Sequence, residues 1–404
     1  MIGCVVASGP RPSTTSRPTH APCGTVRLVR GNRLVVAKRV LLLSGVSSNL
    51  GDQAIFAGFA RVFGEACDEA GIDVEVDVAF IYAMKIREAE LAEINERYDA
   101  VILAGGGFIY HRPDDESASG WGLDIPEALL SQLQPRLGVY AAGYNYRAHS
   151  AERFPGHTAA HIRATVAKAA HFSVREHGSR DMLRERFGVT EPLDVVPDAA
   201  FHCETSRQRL PFPDSRRKVA VCLRMDMVEE RFRSFDGFLA ELIAGLRTLV
   251  DDGAQIVYIT HVSMGADDYV VRQMRQAFPV YAVHEKVPML YEQASPERGE
   301  ALAAIYSQMD LVIGQRLHSL IMPFAQGVPV VSMTSTRSSL WMQRYFGVDE
   351  QYHLDVDDLG VRSLVRAARG ALRDEALSAH AVARTAELRA EGERAIRGLV
   401  EAVL

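Results

Sequence analysis

The chain has 404 residues, of which 48% are apolar and 24% are charged, and its formal net charge is -6. This composition is typical of a globular protein in water, and the length favours two domains over one hydrophobic core. The acidic balance and the lack of any apolar run of roughly 18 residues lead us to expect neither a nucleic-acid partner nor a membrane span.

The start of the chain differs in composition from the rest. Residues 1–38 begin with a stretch rich in Pro, Ser, Thr and Arg, so we predict a disordered tail rather than a cleaved signal peptide. The cysteines are odd in number and lack Cys-x-x-Cys spacing, which favours the reducing cytoplasm and argues against structural zinc. They are Cys4, Cys23, Cys67, Cys203 and Cys222.

Residues 39–203 show short β-branched runs that alternate with amphipathic helical stretches. This alternation is typical of a parallel sheet wrapped by helices, so we predict a Rossmann-like domain. Strands are predicted at residues 40–46, 73–81, 100–104, 137–142, 172–175 and 193–196. Helices are predicted at residues 53–70, 88–97, 126–132, 157–170 and 179–187.

A segment with several prolines, residues 204–217, interrupts this alternation and is predicted to be a linker. A second alternation covers residues 218–357, and the Ala-, Arg- and Glu-rich end, residues 358–404, is predicted to be helical and to pack back across the hinge. Strands of the second domain are predicted at residues 219–223, 255–260, 280–283, 311–313 and 328–333. The predicted fold class is α/β, with two Rossmann-like domains facing across a cleft in the glycosyltransferase-B-type arrangement.

Three cationic side chains follow predicted strands. Arg316 lies in Gly-Gln-Arg-Leu-His, after the strand at residues 310–314, together with His318. Arg175 and Arg224 follow two other strands. Because open α/β sheets bind ligands at the carboxyl ends of their strands, we expect these side chains to face the cleft. Arginine pairs bidentately with carboxylate and phosphate, and histidine exchanges protons near neutral pH.

Two further segments of the first domain belong to the predicted cleft. Gly51 permits a tight turn before the first long helix, and Asp52 is predicted to be its N-cap. Gly105-Gly106-Gly107 follows a buried strand and lets a ligand approach the backbone, without forming a dinucleotide motif. The loop at residues 110–122 is long and mixed in composition. It could be a lid that recognises a bound substrate, or an ordinary solvated loop.

Histidines outside these segments have simpler explanations. His157 and His161 stand on one predicted helix without a third ligand at a matching spacing, so we expect surface residues and no metal site. His261 follows the strand at residues 255–260 and is expected to shape the cleft. Alternatives also exist for the cations and for His318. Arg175 could simply pair with Glu176 or Asp181, and Arg316 could pair with a carboxylate while His318 caps the next helix.

Taken together, these motifs resemble the polysaccharide pyruvyl transferase family, which moves pyruvate from phosphoenolpyruvate to a sugar. The strongest likeness is Gly-Gln-Arg-Leu-His at residues 314–318, followed by Gly-Val-Pro-Val-Val at residues 327–331. Residues 48–55, 105–107, 173–176 and 196–198 agree with the family in the same order. The resemblance spans about residues 39 to 345 and implies the same two-domain architecture.

The resemblance also implies roles for single residues. His318 is expected to be the general acid and base, and Arg175 to be a second catalytic residue. Donor binding is expected from Arg316, Leu317, Arg175 and, by topology, Arg224. Acceptor binding is expected from Asn49, Asp52, Gly106 and Gly107, although an ordinary capped turn explains the first two equally well.

The function implied by the resemblance is transfer of a pyruvyl group to hydroxyls of a sugar-containing acceptor, which forms a ketal and releases phosphate. Phosphoenolpyruvate is then the donor substrate, and no cofactor or metal is expected. Two alternatives remain open: a glycosyltransferase of the same shape that uses a nucleotide sugar, and a repurposed relative that binds a phosphorylated metabolite. The sequence is also compatible with a homo-oligomer.

Overall fold

The computed structural model describes residues 24–28, 37–46, 49–110, 117–145, 154–210, 216–262, 265–291, 295–334, 340 and 344–404. These residues form two α/β domains, as the sequence predicts, each with its own parallel sheet. Their strands are continuous apolar runs, which are buried on both faces of a sheet. Helices therefore cover both faces of each sheet. The end of the chain is helical and returns to the first domain.

The first sheet, within the described ranges, has seven strands in the order β1-β3-β2-β4-β5-β6-β7. All neighbours in it are parallel except β1, which pairs antiparallel with β3. Its strands are β1 (Gly24–Leu28), β2 (Lys38–Ser44), β3 (Val74–Phe80), β4 (Ala100–Ile109), β5 (Arg136–Tyr144), β6 (His171–Val174) and β7 (Asp194–Val195). The helices are α1 (Leu50–Ala70), α2 (Glu88–Arg97), α3 (Glu127–Leu130), α4 (Thr158–Lys168) and α5 (His177–Phe187).

The second sheet, in the same described part, has six parallel strands in the order β10-β9-β8-β11-β12-β13. Its strands are β8 (Lys218–Cys222), β9 (Gln255–Tyr258), β10 (Val280–Ala282), β11 (Leu311–Gly314), β12 (Val330–Thr334) and β13 (His353–Asp355). The helices are α6 (Val228–Arg231), α7 (Phe235–Asp251), α8 (Gly265–Ala277), α9 (Val283–Lys286), α10 (Pro296–Tyr306) and α11 (His318–Phe324). Short 3₁₀ turns lie at Ala199–His202, Pro288–Tyr291 and Glu350–Tyr352.

The two domains share an apolar core through α1 and α10. Gly299 permits this contact, because a Cβ there would lie only 2.7 Å from the backbone nitrogen of Ala54. The amino end of α1 also touches the second domain, since the backbone N–H of Leu50 donates to the carbonyl of His261 at 2.9 Å. A separate core fills the opposite face of the first sheet. The cleft therefore lies beside a packed inter-domain contact.

Two C-terminal helices, α12 (Val361–Arg373) and α13 (Glu375–Val403), complete the fold. Helix α12 covers the second domain against α7, whereas α13 packs on α1 and β5 of the first domain. Arg389 of α13 bonds to both domains, because its guanidinium donates to the carbonyl of Phe201 at 2.8 Å and of Ala325 at 3.4 Å. Helix α13 therefore connects the two domains through hydrogen bonds to both.

One sequence prediction of structure is wrong in part. The tail predicted over residues 1–38 includes β1, a strand that extends the sheet edge beyond β3. The β-branched Thr25 and Val26 favour this conformation, and the edge of β3 offers unpaired backbone groups. The rest of that segment up to residue 36 lies outside the described residues.

Candidate functional site

Polar side chains from both domains meet where strands end. In the first domain Arg175 directly follows β6, and Asp198 lies just beyond β7. Asp52 lies in the first turn of α1, after β2. His318 of the second domain begins α11, after β11, and its ring reaches across to the first domain. His318, Arg175 and Asp198 therefore lie together where the two domains meet, and Asp52 is in the adjacent first turn of α1.

Asp198 joins the histidine of one domain to the arginine of the other. Its Oδ2 lies 3.4 Å from Nε2 of His318 and 3.6 Å from Nη1 of Arg175. Its Oδ1 accepts a hydrogen bond of 2.9 Å from the backbone N–H of Ala200. Asp198 is 1% exposed and His318 is 8% exposed, so the contact is shielded from solvent but the ring keeps an accessible edge.

The charge state of Asp198 follows from these contacts. Burial alone would raise the pKa of Asp198, but His318, Arg175 and the Ala200 N–H together hold that pKa below its ordinary value. Asp198 is therefore an anion over the whole physiological range. This fixed negative charge orients the imidazole ring of His318.

The side chain of Arg175 is held by carboxylates and by close packing on Gly143. Its Nε lies 3.1 Å from Oε2 of Glu176, and Oε1 of Glu176 accepts from the hydroxyl of Ser179. A Cβ on Gly143 would lie 2.2 Å from Nε of Arg175, so only glycine fits at that position. Arg175 therefore pairs with Glu176 and also contacts Asp198. From the sequence, the pair with Glu176 was an alternative to a place in the site. Arg180, rather than Arg175, pairs with Asp181.

The amino end of α1 is capped differently from the prediction. Asn49, rather than Asp52, is the N-cap, and its side-chain oxygen accepts from the N–H of Gly51 at 3.1 Å. The amide of Asn49 donates to Oδ2 of Asp52 at 3.0 Å. The prediction failed because either side chain can cap, and the helix begins earlier, at Leu50. Asp52 therefore does not cap the helix but lies in its first turn.

His318 also packs directly against the backbone of α1. A Cβ on Gly51 would lie 2.6 Å from Nδ1 of His318, which is closer than atoms can approach. Gly51 is therefore required to admit the ring, not only to form a turn. The imidazole has Nε2 toward Asp198 and Nδ1 toward the first turn of α1, which contains Asp52.

A second cluster, the arginine cluster, consists of Arg224, Arg231 and Arg316 around Asp226. Asp226 Oδ1 lies 3.2 Å from Nε of Arg224 and 3.4 Å from Nη2 of Arg316. Its Oδ2 lies 2.7 Å from Nη2 of Arg231, which is 0% exposed. Although burial alone would raise the pKa of Asp226, the three guanidiniums hold it well below its ordinary value.

The arginine cluster fixes two of the predicted donor ligands. Arg316 donates from Nε to the carbonyl of Leu223 at 3.2 Å. Its buried Nη2 makes no hydrogen bond to any described residue. Three guanidiniums share one carboxylate, so the arginine cluster has an excess of positive charge that an anion can balance. Met227, next to Asp226, adopts a left-handed conformation with φ of 55°, and the Nε of Arg231 donates to the Asp226 carbonyl at 2.6 Å to hold this turn.

The remaining predicted residues are placed as follows. Gly106 is buried with φ of +126°, and a Cβ on Gly107 would lie 3.7 Å from Arg175, so this loop borders the cluster. Leu317 forms the turn before α11 and packs partly on the core. His261 is buried and lies 2.7 Å from the hydroxyl of Tyr306. Burial holds the pKa of His261 well below its ordinary value, so its imidazole is neutral at physiological pH.

The predicted surface position of His161 is wrong. The residue is 1% exposed, accepts from the indole N–H of Trp121 at 2.9 Å and lies 2.8 Å from the carbonyl of Ile125. The indole approaches because residues 117–125 fold back over α4, which the helical pattern does not show. The part of the predicted lid at residues 111–116 lies outside the described residues.

Three residues of these clusters were not assigned a role from the sequence: Asp198, Asp226 and Arg231. Asp198 was visible within Val-Pro-Asp at residues 196–198, but the sequence gave it no partner. Asp226 had a weaker signal, as an acid two positions after a strand-end arginine. Arg231 had none, because a fully buried arginine cannot be told from a surface one by pattern.

Three further features of the described part of the chain concern membranes, metals and thiols. No helix there combines the length and apolar character that a membrane crossing requires. No group of three or more His, Cys, Asp or Glu side chains in those same ranges could hold a metal ion. The three cysteines within them, Cys67, Cys203 and Cys222, are buried free thiols.

Comparison with solved structures identifies the fold. The S. aureus MnaA structure with UDP is 12% identical, with a TM-score of 0.54 over 89% of this chain and 94% of that chain. A UDP-N-acetylglucosamine 2-epimerase is 13% identical, with a TM-score of 0.51 over 90% and 94%. Sucrose-phosphate synthase from Thermosynechococcus elongatus is 16% identical, with a TM-score of 0.52 over 89% and 96%. At these identities the likeness concerns the fold alone.

The chain has the two-domain glycosyltransferase-B architecture. A comparison with curated protein sequences found no match. The family model described as polysaccharide pyruvyl transferase matches residues 49–337, which is most of the chain. The chain therefore belongs to the polysaccharide pyruvyl transferase family, as the sequence motifs predicted.

Proposed function

We propose that this protein transfers a pyruvyl group from phosphoenolpyruvate to hydroxyls of a sugar-containing acceptor, forming a ketal and releasing phosphate. Family membership supports the reaction class. The observation that carries the proposal is the contact of His318 from one domain with Asp198 and Arg175 from the other, beside the arginine cluster. This arrangement unites a proton donor with cations for a carboxylate and a phosphate.

The cations bind the donor in this proposal. Arg316, whose Nη2 is buried without a hydrogen bond to any described residue, and Arg224 form one side of the anion site. Arg175 forms the other side. Asp226 and Arg231 act as positioning residues, because they hold Arg224 and Arg316 on one shared carboxylate. Neutralising the phosphate where its charge develops lowers the barrier to its departure.

His318 supplies the proton in this proposal. The imidazolium gives its proton to the methylene carbon of phosphoenolpyruvate, so that the methylene becomes a methyl group and C2 gains cationic character. An acceptor hydroxyl attacks C2, the C2–O bond to phosphate breaks, and a second hydroxyl closes the ketal. The carboxylate of Asp198, 3.4 Å from Nε2, holds the ring in place for this transfer. The scheme requires no metal or cofactor.

The rival function is glycosyl transfer from a nucleotide sugar, which the fold alone would equally allow. An acidic residue for the ribose is expected near the Gly-x-Pro-Val-Val segment in such an enzyme. This chain carries Arg316 and His318 on the preceding strand end instead. A relative that only binds a phosphorylated metabolite would need no His318–Asp198 contact.

A donor comparison tests the proposed function. Purified protein is incubated with phosphoenolpyruvate or UDP-N-acetylglucosamine, together with a panel of methyl glycosides of galactose, glucose, N-acetylglucosamine and N-acetylmannosamine. We expect phosphate release and a glycoside heavier by one pyruvyl ketal with phosphoenolpyruvate, and no UDP release with the nucleotide sugar. Release of UDP and transfer of a sugar would establish the rival.

Gly51→Ala tests whether His318 must lie against α1. The new Cβ would overlap Nδ1 of His318 at 2.6 Å, so the ring must leave Asp198. We expect kcat for pyruvyl transfer to fall by about a hundredfold, since a displacement of about 1 Å has effects of that order. Gly398→Ala in α13 is the matched control, because a Cβ there meets no atom within 4 Å. Equal activity of both variants would contradict the proposed place of His318.

A further inference from the structure

The two partners of the contact between the domains lie at the starts of two short helical elements. Asp198 caps the 3₁₀ turn at Ala199–His202, and His318 is the first residue of α11, which ends at Phe324. The two elements pack against each other. Their far ends are close to the site, because α11 spans roughly 9 Å from His318 to Phe324 and three residues of a 3₁₀ turn span about 6 Å. Contacts at those far ends can therefore set where His318 and Asp198 lie.

Phe346 joins the far ends of these two elements. It lies in the connection between β12 and β13 of the second sheet, where residues 344–346 are helical. Its ring stacks on Phe324 with a centroid distance of 4.8 Å and meets Phe201 edge-on at 5.4 Å. All three rings are 0% exposed. Because Phe201 belongs to the 3₁₀ turn of the first domain and Phe324 to α11 of the second, Phe346 fills the junction between the domains.

The backbone of Phe346 is fixed as well as its ring. Its carbonyl accepts a hydrogen bond of 2.8 Å from Nε2 of His380 in α13. Gly347, which follows, has φ of 74°, and a Cβ there would lie 3.3 Å from the same nitrogen. The ring of Phe346 is therefore a spacer that cannot shift unless α13 shifts with it.

Helix α13 makes a second link between the same two elements. The guanidinium of Arg389 donates to the carbonyl of Phe201 at 2.8 Å and to the carbonyl of Ala325, directly after α11, at 3.4 Å. The hydroxyl of Thr385 donates to the carbonyl of Phe324 at 3.3 Å. The backbones of the 3₁₀ turn and of α11 are therefore both attached to one long helix.

Tyr345 extends this junction toward the third residue of the site. Its ring centroid is 5.9 Å from that of His177, which begins α5 two residues after Arg175. Its hydroxyl donates to Oε2 of Glu391 in α13 at 3.3 Å. Tyr345 and Phe346 together therefore contact the segments that carry all three residues of the contact between the domains.

We propose that Phe346 and Arg389 are positioning residues that hold His318 against Asp198 across the two domains. The consequence for catalysis rests on the proposed function, whereas the geometry is set before any substrate binds. Both residues lie beyond residue 337, where the match to the family ends. They differ from ordinary core residues in acting on the two elements that carry His318 and Asp198, so their loss should change the site as well as the stability.

NMR of the histidine rings tests this proposal without substrate. Protein labelled with ¹⁵N-histidine is compared for the wild type, Phe346→Leu and Phe278→Leu, and the ring signals of His318 are assigned from their absence in His318→Gln. Phe278 is the matched control, because it is 4% exposed and lies before β10, at the end of the second sheet opposite the cleft.

We expect both leucine variants to have a lower Tm, because each loses buried ring contacts. Only Phe346→Leu should shift the ring ¹⁵N signals of His318, since only its ring contacts both α11 and the 3₁₀ turn. Unshifted His318 signals in folded Phe346→Leu, or the same shift in Phe278→Leu, would overturn the positioning role of Phe346.

Arg389→Met tests the second link and keeps the proposal testable if Phe346→Leu does not fold. Methionine retains an apolar stem but cannot donate to the two carbonyls. Arg397→Met is the control on the same helix, because Arg397 pairs with Glu69 at the surface. We expect the His318 ring signals to shift in Arg389→Met and not in Arg397→Met. Unshifted signals in both variants would overturn the role of Arg389.

Kinetics separate positioning from a loss of stability. We expect kcat for pyruvyl transfer to fall by about a hundredfold in Phe346→Leu, because a displacement of about 1 Å has effects of that order. The KM for phosphoenolpyruvate should change less than threefold, since Arg316 is held separately by the Leu223 carbonyl and by Asp226. Phe278→Leu, assayed well below its Tm, should keep the wild-type kcat. An equal loss of kcat in both variants would show a structural role only and overturn the proposal.

The proposed function and this inference fail separately. If the wild type releases no phosphate from phosphoenolpyruvate with any glycoside of the panel, the proposed function fails, and the His318 signals still test the positioning. If the wild type is active and both Phe346→Leu and Arg389→Met behave like their controls, only the positioning fails.

Discussion

His318→Gln is expected to lower kcat for pyruvyl transfer by about 10² to 10⁴-fold, the range for loss of a general acid. Glutamine keeps a polar group near Asp198 but has no proton that it can give to carbon. Binding of phosphoenolpyruvate should persist, because Arg175 and Arg316 are unchanged. Phosphate release with the most active methyl glycoside measures kcat, and titration calorimetry measures donor affinity.

His157→Gln is the control for this substitution, because His157 is exposed at the start of α4. We expect wild-type kcat for the control. A His318→Gln enzyme with kcat within threefold of the wild type would contradict the assigned proton transfer, and a loss of donor binding without a change in kcat would assign His318 to binding instead.

Asp198→Asn is expected to lower stability and activity together. The substitution removes the buried anion between Arg175 and His318, and breaking one partner of such a buried pair typically destabilises by about 3–5 kcal/mol. Because the pKa of Asp198 is held low in the folded protein, its stabilising contribution is present above the ordinary pKa of 3.8 and lost as the pH falls through the folded value. The stability gap between wild type and variant should therefore be largest at neutral pH and shrink in acid.

Urea unfolding at pH 7.5 and at a pH well below 3.8, where the carboxyl is protonated in both states, measures this gap. The kcat at pH 7.5 should fall by about a hundredfold as the imidazole loses its orienting charge. Asp181→Asn is the control, because Asp181 pairs with Arg180 at the surface and such pairs contribute roughly 0–1 kcal/mol. A loss of stability that is the same at both pH values would mean that the charge of Asp198 is not what stabilises the fold.

The sequence predicted the fold because the residue pattern of most segments favours the secondary structure that those segments adopt. Both sheets consist of short apolar strands bounded by Gly, Pro and Asn, and cleft residues occur where those strands end. Arg316 and His318 after β11, and Arg175 after β6, could be placed in the cleft by this topology alone. Their catalytic and donor roles came from the resemblance to the family.

What the sequence could not show are the contacts between distant segments. His318 and Asp198 are separated by 120 positions and belong to different domains, so it is the packing of the two domains on each other that brings them together. The burial of Arg231 depends on a left-handed turn at Met227 that no residue type signals. Strand β13 was missed because its three residues carry almost no pattern.

Binding of phosphoenolpyruvate to the wild type and to Arg316→Ala, measured by titration calorimetry with UDP-N-acetylglucosamine as the competing donor, tests the central claim without any acceptor. The account predicts saturable binding of phosphoenolpyruvate to the wild type, at least tenfold weaker binding to Arg316→Ala, and none of the nucleotide sugar to either. Binding of UDP-N-acetylglucosamine alone, or equal affinity of both proteins for phosphoenolpyruvate, would contradict it.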